Sequence, residues 1–311
     1  MLIFINYIVS SSVISMAKKP IFDWGTYNGL SALPNAMIIG MRLTEIPPRA
    51  FSRKGIDEDY FKKYGESCKG VFTTVTAHGP YYSLTSKDKK VLKDVKKAMS
   101  TAIKMAKIAG AEVFNIHIGS ALDDRDEAID IAADMVKSLV KEGKEITITL
   151  ETTYSPKFLG SIEDIGAIIE KVGSDKVSIS LQLDNDFIRE FGIYKTGNFT
   201  AANREANEKF WYNLFKKALP LSKGYFSLRF SQVIGMYLRK RIFVKKRVPF
   251  GRGFPDSRPL AKAIASFVLK EIYEKELPLE VHLIYTGVPE TKIRDSIELY
   301  SAVLSEIAEL L

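Results

Sequence analysis

Two of the three histidines in this 311-residue chain, His78 and His117, together with the carboxylate Glu151, are the strongest candidates for chemistry. Two imidazoles and one carboxylate suit zinc, manganese or iron, and three protein ligands leave positions open for water and substrate. The competing reading is a pair of hydrogen-bonded histidines lining a pocket. Asp184 is a further ligand or a general base, although the run Asp184, Asn185, Asp186 also reads as a polar turn. Arg229 stands in the apolar run Tyr225 to Phe230, where an inward charge needs a partner. Facing a site, it would fork onto a phosphate or a carboxylate. Glu151, Asp184 and Arg229 are thus the catalytic candidates, and His78, His117, Glu151 and Asp184 the metal ligands. His282 lies inside an apolar run and reads as an ordinary strand histidine.

The elements that must position these residues are short apolar runs alternating with helix-period stretches. The runs are Ile21 to Trp24, Met37 to Ile46, Val71 to Ala77, Val113 to Ile116, Ile146 to Leu150, Val177 to Leu183, Tyr225 to Phe230 and Leu279 to Ile284. Between them Val91, Val95, Met99, Ala102 and Ala106 recur at helical spacing after an N-cap at Ser86, and Gly110 closes that helix. Further helices are expected over Asp124 to Lys141, Ser161 to Lys171, Ala202 to Ala218, Ser257 to Glu274 and Glu290 to Leu310. Eight strand–helix repeats predict an α/β chain folded as a single (β/α)8 TIM barrel over residues 16–311. A dinucleotide fold is disfavoured, since Gly25 and Gly29 lack a third glycine and a following helix. In such a barrel the chemistry collects at the carboxyl ends of the strands. His78, His117, Glu151, Asp184, Arg229 and Tyr285 fall at six successive ends, and adjacent strands are about 5 Å apart, a span one ion bridges.

A composition of 46% hydrophobic and 26% charged residues excludes disordered and fibrous classes. The single cysteine, Cys68, cannot form an intramolecular disulfide or a cysteine zinc cluster, which points to a reducing, cytoplasmic setting. The net charge of +8 is concentrated between Glu208 and Asp256, a stretch with 12 lysines and arginines and no acid, so the rest of the chain stands at −4. Such a segment suits a polyanion, and its densest part, residues 239–252, is expected to be a basic loop. The alternative is a plain solvated surface. Residues 1–15 are apolar, lack a cationic leader region and are shorter than the about 20 residues a membrane span needs. Met16, followed by Ala17, Lys18 and Lys19, is the expected true start, with a short interfacial anchor as the alternative.

Several stretches resemble endonuclease IV proteins. Thr76 to Tyr82 is similar to that family's His-Ala-Pro-Tyr stretch, and Gly110 to Ser120, with His117, Ile118 and Gly119, to its Phe-His-Pro-Gly stretch. Leu150 to Thr153 with Gly160 to Glu163 resembles its glutamate-threonine strand end and downstream helix start. With Asp184, the order and spacing hold over roughly residues 20 to 300. The resemblance implies a barrel enzyme that cuts DNA beside abasic sites with three metal ions, usually zinc. It maps His78 and His117 onto histidine ligands, Glu151 onto a bridging glutamate and Asp184 onto an aspartate ligand. The chain departs at Phe187, Arg229, Lys245, Arg247 and Tyr285, where the family has further ligands. Fewer than three ions are therefore expected, zinc first and manganese second.

The first functional expectation is a metal-dependent phosphodiesterase acting on abasic or damaged DNA with a reduced cluster. Arg229, Lys245, Lys246, Arg247 and Arg252 would hold phosphates, and Tyr81 would stack on a base or sugar. Tyr82, Tyr154 and Phe250 are further aromatics that either stack or pack. The alternatives are a non-catalytic DNA-binding relative and a metal-dependent sugar isomerase or epimerase of the xylose-isomerase-like group. No membrane partner is expected.

Overall fold

The computed structural model describes residues 21–51, 56–238 and 242–311; the segment 1–15, the start expected at Met16 and residues Arg239 to Arg241 lie outside them. All eight expected runs carry strands: β1 (Phe22–Tyr27), β2 (Leu43–Ile46), β3 (Thr74–His78), β4 (Val113–Ile116), β5 (Thr147–Glu151), β6 (Val177–Gln182), β7 (Tyr225–Phe230) and, after a hairpin of β8 (Gln232–Leu238) and β9 (Ile242–Val248), β10 (Glu280–Tyr285). The eight close into a parallel barrel in the order β1-β10-β7-β6-β5-β4-β3-β2. Helices α1 (Leu33–Ile38), α2 (Glu58–Cys68), α3 (Lys89–Ile108), α4 (Arg125–Glu142), α5 (Ile162–Val172), α6 (Leu183–Glu190), α7 (Phe199–Glu205), α8 (Glu208–Ala218), α9 (Ser257–Phe267) and α10 (Lys292–Leu310) fill the connections. No helix of the described residues is long and apolar enough to cross a membrane.

Strand periodicity decides which side chains meet the helices and which meet the lumen. Trp24 stacks on Tyr300 of α10, Phe114 meets Phe51 edge-on, and Phe226 packs on Phe267 of α9, so one parity of each strand builds the apolar layer outside the sheet. Each such ring or aliphatic side chain contributes about 1.5–3 kcal/mol on burial. The other parity turns inward and is largely polar: Thr74, Thr76 and His78 on β3, Thr147, Thr149 and Glu151 on β5, Ser178, Ser180 and Gln182 on β6, Ser227 and Arg229 on β7. Apolar residues thus concentrate on the helix-facing side, although Leu43, Val113 and Ile284 lie on the lumenal parity. The lumen of small hydroxyl groups leaves room at its carboxyl end for the larger residues.

Several boundaries differ from expectation for physical reasons. The run Met37 to Ile46 is strand only over Leu43–Ile46; Met37 and Ile38 end α1 and are exposed, and Gly40 at φ +75° makes the turn. Helix α3 is capped by Asp88, whose carboxylate accepts the amides of Lys90 and Val91, while Ser86 caps only the preceding turn. The helix expected from Ala202 to Ala218 is two, because Asn207 accepts the Phe210 amide and starts a new one. Past Phe267 the backbone widens into a π turn, Val268–Tyr273.

Within the expected basic loop 239–252, Ile242–Val248 form a strand. β9 pairs antiparallel with β8, Gly235 opposite Lys245 and Val233 opposite Arg247. Gly235 is required here: a Cβ would lie 2.4 Å from the Phe199 ring and 2.6 Å from the Phe243 ring. Its absence lets the hairpin lie against the barrel mouth, and alternation sends Lys245 and Arg247 inward while Lys246 stays exposed.

Candidate metal centre

His78 ends β3, His117 follows β4 and Glu151 ends β5, three neighbouring strands in register. The His78 Nε2 lies 3.3 Å from Glu151 Oε2, and His117 Nε2 lies 3.4 Å from Oε1 of the same carboxylate. One donor atom from each of the three falls within 4.8 Å of the others, as one ion would require. The ring centroids of the histidines are 5.2 Å apart. His78 Nδ1 is 2.8 Å from the Gly79 carbonyl, so Nδ1 carries a proton and donates it there, and Nε2 is the nitrogen that faces Glu151. Gly79 permits that approach; a Cβ would sit 2.9 Å from the Phe114 ring. Burial pushes the His117 imidazole down to about 4, so it is neutral at pH 7, the form a metal needs. Tyr81 lies over both rings, at 5.3 Å and 5.1 Å, and remains 65% exposed.

The two oxygens of Glu151 have different surroundings. Oε2 accepts the Asn115 amide at 2.5 Å, lies 3.0 Å from Arg229 Nε and faces His78, while Oε1 faces His117. Thr149 donates to the Asn115 carbonyl oxygen at 2.9 Å, which orients the amide. Burial alone would raise the Glu151 carboxyl, but the charges beside it hold it well below the usual range. Arg229 supplies a positive charge there that does not titrate. The centre therefore presents two imidazole nitrogens and one carboxylate oxygen, and this donor set fits a single divalent ion.

Sequence reasoning missed Glu45 at the end of β2. It is fully buried and takes the Arg229 fork in two bonds, Nη1 to Oε2 at 2.6 Å and Nη2 to Oε1 at 2.8 Å. Thr76 also donates to Glu45, at 3.4 Å. Burial disfavours the charged guanidinium, yet the two carboxylates outweigh it and keep Arg229 protonated. Arg229 faces inward with partners, as its place in the strand required, but its fork is spent on protein carboxylates. It is not a free phosphate clamp.

Asp184, at the start of α6, does not join the metal donor set. Its Oδ2 lies 2.5 Å from Lys245 Nζ, and its Oδ1 accepts from Ser231 at 3.1 Å and from Gln182. Burial raises the Asp184 carboxyl, and Lys245 and Arg247 more than reverse that, leaving it below its ordinary value. Lys245 also donates to Asn185, and its ammonium sits 5.5 Å from the Tyr154 ring centroid. Arg247 donates to the Tyr27 hydroxyl at 2.8 Å, and that hydroxyl donates to the Thr286 carbonyl at 2.9 Å. Lys246 and Arg252 are exposed. Tyr285 points away from the mouth, toward Asp295 on α10, and Phe250 packs on its ring. His282 is buried in the lumen, 3.6 Å from Glu280, away from the metal donors.

Counted together, the carboxylates Glu45, Glu151 and Asp184 face the cations Arg229, Lys245 and Arg247. Lys292 adds a further cation at this end, donating to the Tyr27 carbonyl, and a divalent ion would make the mouth more positive still, a charge suited to an anionic ligand.

A family model for the xylose isomerase-like TIM barrel matches residues 36–302. An uncharacterized protein of Methanocaldococcus jannaschii is 34% identical over 288 residues, 92% of this chain and 90% of that one. Among solved structures, a D-tagatose 3-epimerase-like protein superposes with a TM-score of 0.65 at 16% identity, covering 92% of this chain and 98% of its own. Endonuclease IV from Thermus thermophilus gives 0.60 at 12% identity, covering 91% and 99%. At these identities the structural likeness is one of fold.

Proposed function

The chain belongs to the xylose isomerase-like TIM barrel family, and from that premise we propose that it is a one-ion phosphodiesterase acting on DNA at abasic or damaged sites. The observation that carries the reading is the pairing, on one mouth, of the His78–His117–Glu151 donor set with two inward cations from a single strand, Lys245 and Arg247. A bound ion would supply Lewis acidity to a phosphate oxygen and lower the pKa of a water. Zinc is the first candidate, since two imidazoles and one carboxylate oxygen match its catalytic sites, and manganese is the second. His78 and His117 would hold it through Nε2 and Glu151 through Oε1. Lys245 and Arg247 would offset phosphate charge, and each already has a protein partner that keeps it oriented. Exposed Lys246 and Arg252 would follow the DNA backbone, and exposed Tyr81 would stack on a base or sugar beside the histidines.

The sugar epimerase reading fits these residues less well. Proton transfer at a sugar carbon needs carboxylates free to exchange protons, and Glu45 and Asp184 are each engaged by a buried cation. A DNA-binding relative without turnover remains the second reading, because Arg229, Lys245 and Arg247 stand where the resemblance to endonuclease IV implies further ligands.

Metal content of untagged protein, measured by elemental analysis beside His117→Ala, tests the centre. The proposal expects about one zinc or manganese per chain, lost in the variant, and metal-dependent cleavage of an abasic duplex. DNA binding with neither metal nor cleavage would establish the second reading instead.

A further inference from the structure

A buried guanidinium lies beside the metal donor set. Arg229 is 1% exposed and lies between two carboxylates, forked onto Glu45 and 3.0 Å from Glu151. Two carboxylates this close in a dry site cannot both be ionised without a cation between them. In such a position proteins place either a metal ion or a buried basic side chain.

We propose that Glu45 and Glu151 form a second cation position, that Arg229 permanently fills it, and that this limits the centre to one metal ion. The inference rests on the one-ion reading above and deepens it. Arg229 cannot be deprotonated, offers no open coordination position and binds no water, so it balances charge without adding Lewis acidity. It also shares the Oε2 side of Glu151 with Asn115 and His78, which leaves Oε1 toward His117. Arg229 and Glu45 are thereby positioning residues for the metal ligand.

The experiment is metal stoichiometry at saturating zinc chloride, and separately manganese chloride, followed by gel filtration and elemental analysis. Arg229→Gln frees both carboxylates and is expected to bind one ion per chain more than the wild type. The double variant Arg229→Gln/Glu45→Gln returns to the wild-type count, and Arg229→Lys stays at it. Equal counts in Arg229→Gln and wild type would overturn the proposal, as would an extra ion that survives loss of Glu45. If Arg229→Gln proves unstable in chelator, its melting temperature should recover on adding manganese, while the double variant's responds no more than the wild type's; no such difference also overturns it. A wild type that binds no ion would sink the one-ion reading alone. A gain of one ion in Arg229→Gln over that wild type would leave the second cation position standing.

Discussion

Lys245 reaches Asp184 from outside the barrel: its Nζ lies 2.5 Å from an oxygen of a carboxylate that is itself fully buried just past the end of β6. The pair fastens the hairpin to the mouth. Replacing Lys245 by Met leaves Asp184 buried and unpaired and should cost about 3 kcal/mol in urea unfolding. Adding Asp184→Asn should recover most of that loss, and failure to do so would mean that the pair is not what holds the hairpin.

Asn115 orients Glu151 without touching the proposed ion. Asn115→Ala should therefore weaken zinc affinity about 10–100-fold, measured by chelator competition, with little change in fold by circular dichroism. An unchanged affinity would argue that Arg229 alone fixes the carboxylate.

Acid should unfold the metal-free protein partly through His117. Its imidazole is held down to about 4 in the folded state, whereas the unfolded chain binds that proton at about 6.5. The folded-state value is the lower one, so this contribution is complete above pH about 6.5 and is lost as pH falls toward 4. Melting temperatures of the protein in chelator between pH 7.5 and 4 should fall more steeply than those of His117→Gln. Parallel curves would refute the assignment.

Salt dependence should separate the cations by exposure. Lys246→Ala and Arg252→Ala, on the exposed side, should each reduce the magnitude of the slope of log K against log salt for duplex binding by about 1 while leaving metal content unchanged. A slope untouched by both would remove the exposed part of the hairpin from the DNA interface.

Much of this arrangement was legible in the sequence. The eight strands stand out because their helix-facing parity is dense in Ile, Val, Leu and Phe, and the metal donors stand out because histidine is scarce and falls at strand ends. Glu45 was hidden because the run Met37 to Ile46 merges the exposed end of α1 with β2, so no parity could be assigned to it. Asn115 escaped notice as a neutral amide whose value lies entirely in what it touches. The hairpin read as a loop because Lys246, on its outer face, interrupts the alternation of Val244 and Val248 with Lys245 and Arg247. Arg229 was recognised as inward-facing, but its partner could not be known while Glu45 was unseen. The register of Tyr285 was misjudged by a strand end placed one residue early, which is enough to exchange lumen for helix layer.

The same two-residue rhythm has a consequence for how this chain can change. Lys245 and Arg247 enter the mouth because they are separated by one residue on β9, with Lys246 turned away between them. Inserting or deleting a single residue before them would present Val244 and Lys246, or Lys246 and Val248, to Asp184 and Tyr27 instead. One of the two inward cations would be lost at a stroke, and the buried Asp184 would face either a lone ammonium out of place or a methyl group. A change of one residue in this hairpin therefore exchanges the two faces of β9, whereas a change of two keeps Lys245 and Arg247 on the inner face but moves each by one pair along the strand.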